Sequence, residues 1–109
     1  MKPKVTFNTD RGRLEAAFEQ IPAYRERCML KRAGFAWDPK VKVWHLWKPV
    51  TLRFVRQEPI VQDGMVYALE CLSTYFELDR AEWPAIVEAR NGYAETRAIQ
   101  GMEEALGIS

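Results

Sequence analysis

Few side chains in this chain of 109 residues could carry covalent chemistry, and they are scattered. His45 is the single histidine, Cys28 and Cys71 are the two cysteines, and Ser73 and Ser109 are the serines. One histidine rules out HExxH, which needs two ligands one helical turn apart, and two cysteines 43 positions apart rule out a CxxC zinc knuckle. No GxSxG elbow, GxxxxGK[S/T] loop or GxGxxG turn is present. Pairing His45 with Cys28 or Cys71 has no support from spacing or flanking residues. Carboxylate pairs such as Glu103–Glu104 and Glu77/Asp79 read as a solvated helix face and a helix cap. We therefore expect no enzymatic activity, no metal and no cofactor.

What stands out instead is non-covalent. Met29–Trp47, MLKRAGFAWDPKVKVWHLW, holds three of the four tryptophans and four of the sixteen basic residues. Trp37, Trp44 and Trp47 fall within eleven residues, flanked by Lys31, Arg32, Lys40, Lys42 and Lys48. Exposed rings can stack on nucleobases while neighbouring cations attract phosphates. Large aromatics also build cores, and at least one of these tryptophans is expected there. His45, between aromatics, reads first as a hydrogen-bonded strand residue. The candidate nucleic-acid or partner-binding set is Arg25, Arg27, Lys31, Arg32, Trp37, Lys40, Lys42, Trp44, His45, Trp47 and Lys48.

The elements that must position this set follow from local signals. Pro22–Ala33 reads as a helix, with Tyr24, Cys28 and Met29 facing one way and Arg25, Arg27, Lys31 and Arg32 over much of the rest. Lys31 and Arg32 suit the negative end of the helix dipole, and Gly34 suits the left-handed position past the helix end. Phe35–Trp37 and Lys42–Trp47 form a hairpin about an Asp38–Pro39–Lys40–Val41 turn. Alternation puts Val43, His45 and Trp47 on one face and Lys42, Trp44 and Leu46 on the other.

Around this unit, Lys4–Asn8 alternates and reads as a first strand. Asn8, Thr9 and Asp10 are candidate N-caps, and Leu14, Ala17, Phe18 and Ile21 at helical spacing predict a helix that Pro22 interrupts. Val50–Arg56 has strand propensity, but Pro49 and the Val50/Phe54 spacing tilt the reading to a short helix. Asp63–Gly64 is a hairpin signal. Against it, Met65, Leu69, Leu72 and Phe76 predict a helix buried on most sides. Asp79 caps a further helix ending at Asn91–Gly92, and Tyr93–Leu106 forms the last. We read no internal repeat and no low-complexity segment.

The net charge of +1 conceals a strong asymmetry. Residues 1–56 hold thirteen Lys/Arg and five Asp/Glu, giving +8, whereas residues 57–109 hold three and ten, giving −7. The basic part could meet a polyanion, or the two parts could pair with one another. No signal peptide or membrane-spanning run is read, and the cysteines read as small buried hydrophobes of a reduced, cytoplasmic protein. At this length the buried core gives only moderate stability, and a homodimer is compatible with it.

Leu30–Trp44, LKRAGFAWDPKVKVW, resembles the core of small modules found beside helicases, primases and methyltransferases of phages and mobile elements, with the pattern LKxxGFxWDPxxKxW. Leu30, Lys31, Gly34, Phe35, Trp37, Asp38, Pro39, Lys42 and Trp44 match it, and the HARP domain of annealing helicases has a looser version. The resemblance covers about residues 5–56 and implies an α+β module contacting DNA or a DNA-bound protein.

The expected fold is thus α+β: a small antiparallel sheet from strand 4–8 and hairpin 35–47, packed with helices and followed by a helical C-terminal half. Residues 1–56 would form the basic HARP-like module and 57–109 an acidic extension packed on it. The expected function is nucleic-acid binding, with DNA or RNA held on the basic aromatic face. The alternative is a phage protein that binds and inhibits a host protein, such as a defence nuclease complex.

Overall fold

The computed structural model describes the backbone of residues 2–46, 50–55 and 58–107, and the side chains of 2–46 and 64–107. Trp47 and Lys48 lie outside the described residues. Four antiparallel strands form the main sheet: β1 (Lys4–Asn8), β2 (Arg13–Ala17), β3 (Phe35–Asp38) and β4 (Val43–Leu46), in the order β1-β2-β4-β3. Between β2 and β3 the chain forms helix α1 (Tyr24–Ala33). A separate hairpin, β5 (Val50–Val55) with β6 (Glu58–Asp63), follows β4. The chain then forms α2 (Gly64–Tyr75), a 3-10 turn (Arg80–Glu82) and the long helix α3 (Trp83–Ala105).

One sheet face is apolar. Val5 pairs with Ala16 and Phe7 with Leu14; Ala16 pairs with Trp44, Trp37 with Trp44, and Phe35 with Leu46. Residues directly opposite one another share a face. Val5, Leu14, Ala16, Phe35, Trp44 and Leu46 are all buried, against α2, whose Met65, Ala68, Leu69 and Leu72 are wholly enclosed together with Phe76 just beyond it. Helix α1 lies beside α2 and over β3, while α3 lies over β1. The buried α2 matches the sequence expectation for Met65–Phe76.

Three expectations are corrected. Residues 13–17 are a strand, not a helix. Asn8 caps no helix: its Oδ1 accepts from the amides of Asp10 (2.9 Å) and Arg11 (3.0 Å) within the β1–β2 turn. Gly12 then enters the left-handed region at φ 66° and donates to Asn8 O at 2.7 Å, which reverses the chain instead of propagating a helix. Residues 50–55 are likewise a strand, their β-branched and aromatic composition prevailing over the proline signal once β6 pairs with them. Asp63–Gly64 is the junction of β6 and α2, so the helical reading of Met65–Phe76 prevails over the hairpin signal there. Asn91–Gly92 does not end a helix: α3 runs through it unbroken from Trp83 to Ala105.

The two hairpins are structurally equivalent, although no aligned residue is identical and the sequence shows no repeat. Shifting by thirty positions carries Val5-Thr6-Phe7-Asn8 onto Phe35-Ala36-Trp37-Asp38 and Leu14-Glu15-Ala16 onto Trp44-His45-Leu46. The two loops match in detail. Asp38 Oδ1 accepts from Lys40 N at 2.9 Å, Lys42 N donates to Asp38 O at 2.8 Å, and Lys42 takes the left-handed φ of 57° that Gly12 takes in the first loop. Glu15 pairs with its equivalent, His45, so the two hairpins are related by an approximate dyad through that pair.

Candidate functional site

Helix α1 sets one wall of the site. Glu26 reaches back to accept from the Ala23 amide at 3.0 Å, closing the first turn, and Arg27 Nη1 donates to Pro22 O at 2.7 Å, fixing the approach of the preceding loop. At the other end Gly34, at φ 104°, donates to Leu30 O and Lys31 O. That left-handed turn aims the chain straight into β3. The second wall is the β3–β4 loop, closed by the two Asp38 bonds described above.

Between them lies a cleft of about 740 Å³, bordered by loop residues Phe18–Pro22, by Arg27 and Lys31 of α1, and by Trp37, Pro39, Lys42 and Trp44 of the second hairpin. Trp37 and Trp44 are cross-strand partners whose rings lie 5.6 Å apart at 55°. Their environments differ sharply: Trp44 is 4% exposed and Trp37 47%. Trp44 is therefore a core ring that backs the cleft, and Trp37 is the ring it offers. The buried Nε1–H of Trp44 has no hydrogen-bond partner among the described residues. Among the described residues that border it, Arg27, Lys31 and Lys42 stand with one carboxylate, Glu19.

Five of the eleven candidate residues thus converge: Arg27, Lys31, Trp37, Lys42 and Trp44. Arg25 and Arg32 are exposed on α1 and Lys40 is exposed at the loop tip, but none of the three borders the cleft. His45 sits on the opposite sheet face, paired with Glu15 and Ala36. Burial and the charge of Arg13 lower its pKa, leaving the imidazole neutral at pH 7. Sequence reasoning missed Phe18, Ile21, Pro22 and Pro39. Ile21, 84% exposed immediately before a proline, was the available signal, but helical periodicity absorbed it.

The polar face behind the cleft is a bonded network. Arg13 donates to Glu15 Oε2 at 2.8 Å and reaches Asp38 Oδ2 at 2.7 Å, tying the first hairpin to the loop of the second. Asn8 Nδ2 donates to Glu15 Oε1 at 2.9 Å, and Arg11 approaches at 3.4 Å. Burial on its own would raise the Glu15 carboxyl, but the Asn8 and Arg13 bonds outweigh it and hold the pKa below the ordinary value. Asp38 is held low by Arg13 and by the Lys40 amide. These groups satisfy one another and fix the cleft's loop.

No family model matches the chain, and neither a curated protein nor a solved structure is detectably similar to it. Among the described residues no group of three or more His, Cys, Asp or Glu is placed to hold a metal, and no helix is long and apolar enough to cross a membrane.

Proposed function

We propose that this chain is a non-enzymatic nucleic-acid-associated binding protein that engages DNA or RNA through the cleft between α1 and the β3–β4 loop. One observation carries the reading: a half-exposed tryptophan borders a cleft whose described lining holds three cations and one carboxylate. An indole face suits a base, and Arg27, Lys31 and Lys42 suit phosphate oxygens. The resemblance of residues 30–44 to modules that accompany DNA-processing enzymes of phages and mobile elements supports the same reading. Fluorescence anisotropy with labelled oligonucleotides at low salt is the test. Binding that Lys31→Ala/Lys42→Ala weakens supports it, and absence of binding to both DNA and RNA overturns it.

A second reading, inhibition of a host protein, is favoured by α3. From Ala94 to Leu106 every residue is exposed, and Ile99, Met102 and Leu106 form an apolar stripe on that length of helix. Pull-down from host lysate with and without residues 95–109 tests it: a stoichiometric partner lost on truncation would favour this reading.

A further inference from the structure

The repeat within the sheet provides a comparison between two equivalent places in one molecule. In the first hairpin the platform ring is Phe7, and it is already covered. Tyr93 of α3 lies against it with ring centroids 5.6 Å apart at 56°. The hydroxyl end of Tyr93 sits over Gly12, where even a Cβ would collide with it. The left-handed glycine of the first loop thus makes room for the tip of an aromatic side chain that the protein itself supplies.

In the second hairpin Trp37 stands where Phe7 stood, and Lys42 stands where Gly12 stood, with nearly the same backbone (φ 57° against 66°). Here α1 brings Arg27 and Lys31 to the border, and the outer side of Trp37 opens on the cleft. Two things have changed together: among the described residues no ring from another element covers Trp37 as Tyr93 covers Phe7, and a lysine has entered a left-handed position that favours glycine. A tyrosine from a partner would satisfy the first change but not the second. A nucleotide satisfies both, since its ring and its phosphate are joined covalently.

We infer that the cleft takes one unpaired nucleotide of a single-stranded nucleic acid, its base stacking on Trp37 at the place equivalent to that where Tyr93 packs against Phe7, and its phosphate meeting Lys42 and Lys31. This rests on the nucleic-acid reading above and narrows it to a strand class. In a duplex both faces of each base are stacked on neighbours, so a base reaches Trp37 only after it is unstacked; a single strand offers it directly. The volume of about 740 Å³ is sufficient for a ring with its sugar and phosphate.

The experiment uses the full chain with a fluorescein-labelled oligothymidine, its oligouridine counterpart and a blunt duplex of equal length, at low salt. Anisotropy gives affinity, and the part of the tryptophan emission change that is lost in Trp37→Phe reports contact with that ring, one of four tryptophans. The single strands are expected to bind at least about tenfold tighter than the duplex and to quench emission. Trp37→Ala should lower single-strand affinity roughly 5- to 150-fold, the range for loss of one stacked base, whereas Trp37→Phe retains most of it. Lys42→Gly should lower affinity without lowering the melting temperature, because glycine is at ease in that backbone. Equal binding of duplex and single strand, with Trp37→Ala neutral, overturns this inference and leaves the nucleic-acid reading standing. No binding of any of the three overturns both.

Discussion

Trp37 and Trp44 are two residues of one type, directly paired across two strands, in opposite environments. Trp44 is enclosed, so Trp44→Ala should cost about 3–5 kcal/mol and destroy binding through loss of the fold. Trp37 is half exposed, and Trp37→Ala should leave chemical denaturation within about 1 kcal/mol of wild type. Comparing the two denaturation curves checks this; a large loss in Trp37→Ala would move that ring into the core. The polar face makes a second prediction at this scale. Glu15 and Asp38 have lowered pKa values in the folded state, and so does His45. The unfolded chain therefore takes up their protons first. Their stabilisation is fully present above the unfolded values, roughly 6.5 for histidine and 4 for the carboxyls, and is lost as pH falls through the folded ones. Melting temperature should be level near neutrality, decline gently below about pH 6.5 and steeply below about pH 4. Glu15→Gln should flatten the acid limb; a melting temperature that rises on acidification would contradict the network.

Among the elements, Gly12 and α3 are coupled through Tyr93. Gly12→Ala places a Cβ against the Tyr93 ring in a left-handed backbone, which alone costs ~1–2 kcal/mol. The loss should exceed that figure in wild type and shrink toward it in a Tyr93→Ala background, as a double-mutant cycle of thermal melts would record. By contrast, Gly101→Ala meets no neighbour within 4 Å and should stabilise α3 by about 0.5–1 kcal/mol. Much of this layer was legible from sequence. β1, α1 with its Gly34 stop, the Asp38–Pro39 hairpin and the buried α2 all follow from caps, turns and periodicity that agree with their surroundings. β2 was not legible, because Leu14, Ala17 and Phe18 fit a helical period and only the left-handed Gly12 turns Asn8 from a helix cap into a hairpin corner. The repeat was hidden for a related reason. Its two copies share geometry at the loop and apolar character on one face, but no aligned residue is identical, and the left-handed position is glycine in one and lysine in the other. The candidate site was half legible: its cations and rings were named, but which of them converge depended on the path of the 18–22 loop.

At the level of the whole molecule, the excess of +8 in residues 1–56 and −7 in residues 57–109 is consistent with a basic binding region on a chain of nearly balanced charge. The cleft concentrates three of those cations, so association should be strongly dependent on ionic strength. The most direct test of the central claim is the affinity of the full chain for a single-stranded oligonucleotide across a series of salt concentrations, compared with Lys31→Ala/Lys42→Ala. If each lysine meets one phosphate, the slope of log affinity against log salt should shrink by about 1.4 in the double variant, at roughly 0.7 per lost phosphate contact. An unchanged slope, with affinity equal to wild type, would contradict the account and remove the cleft as the nucleic-acid site.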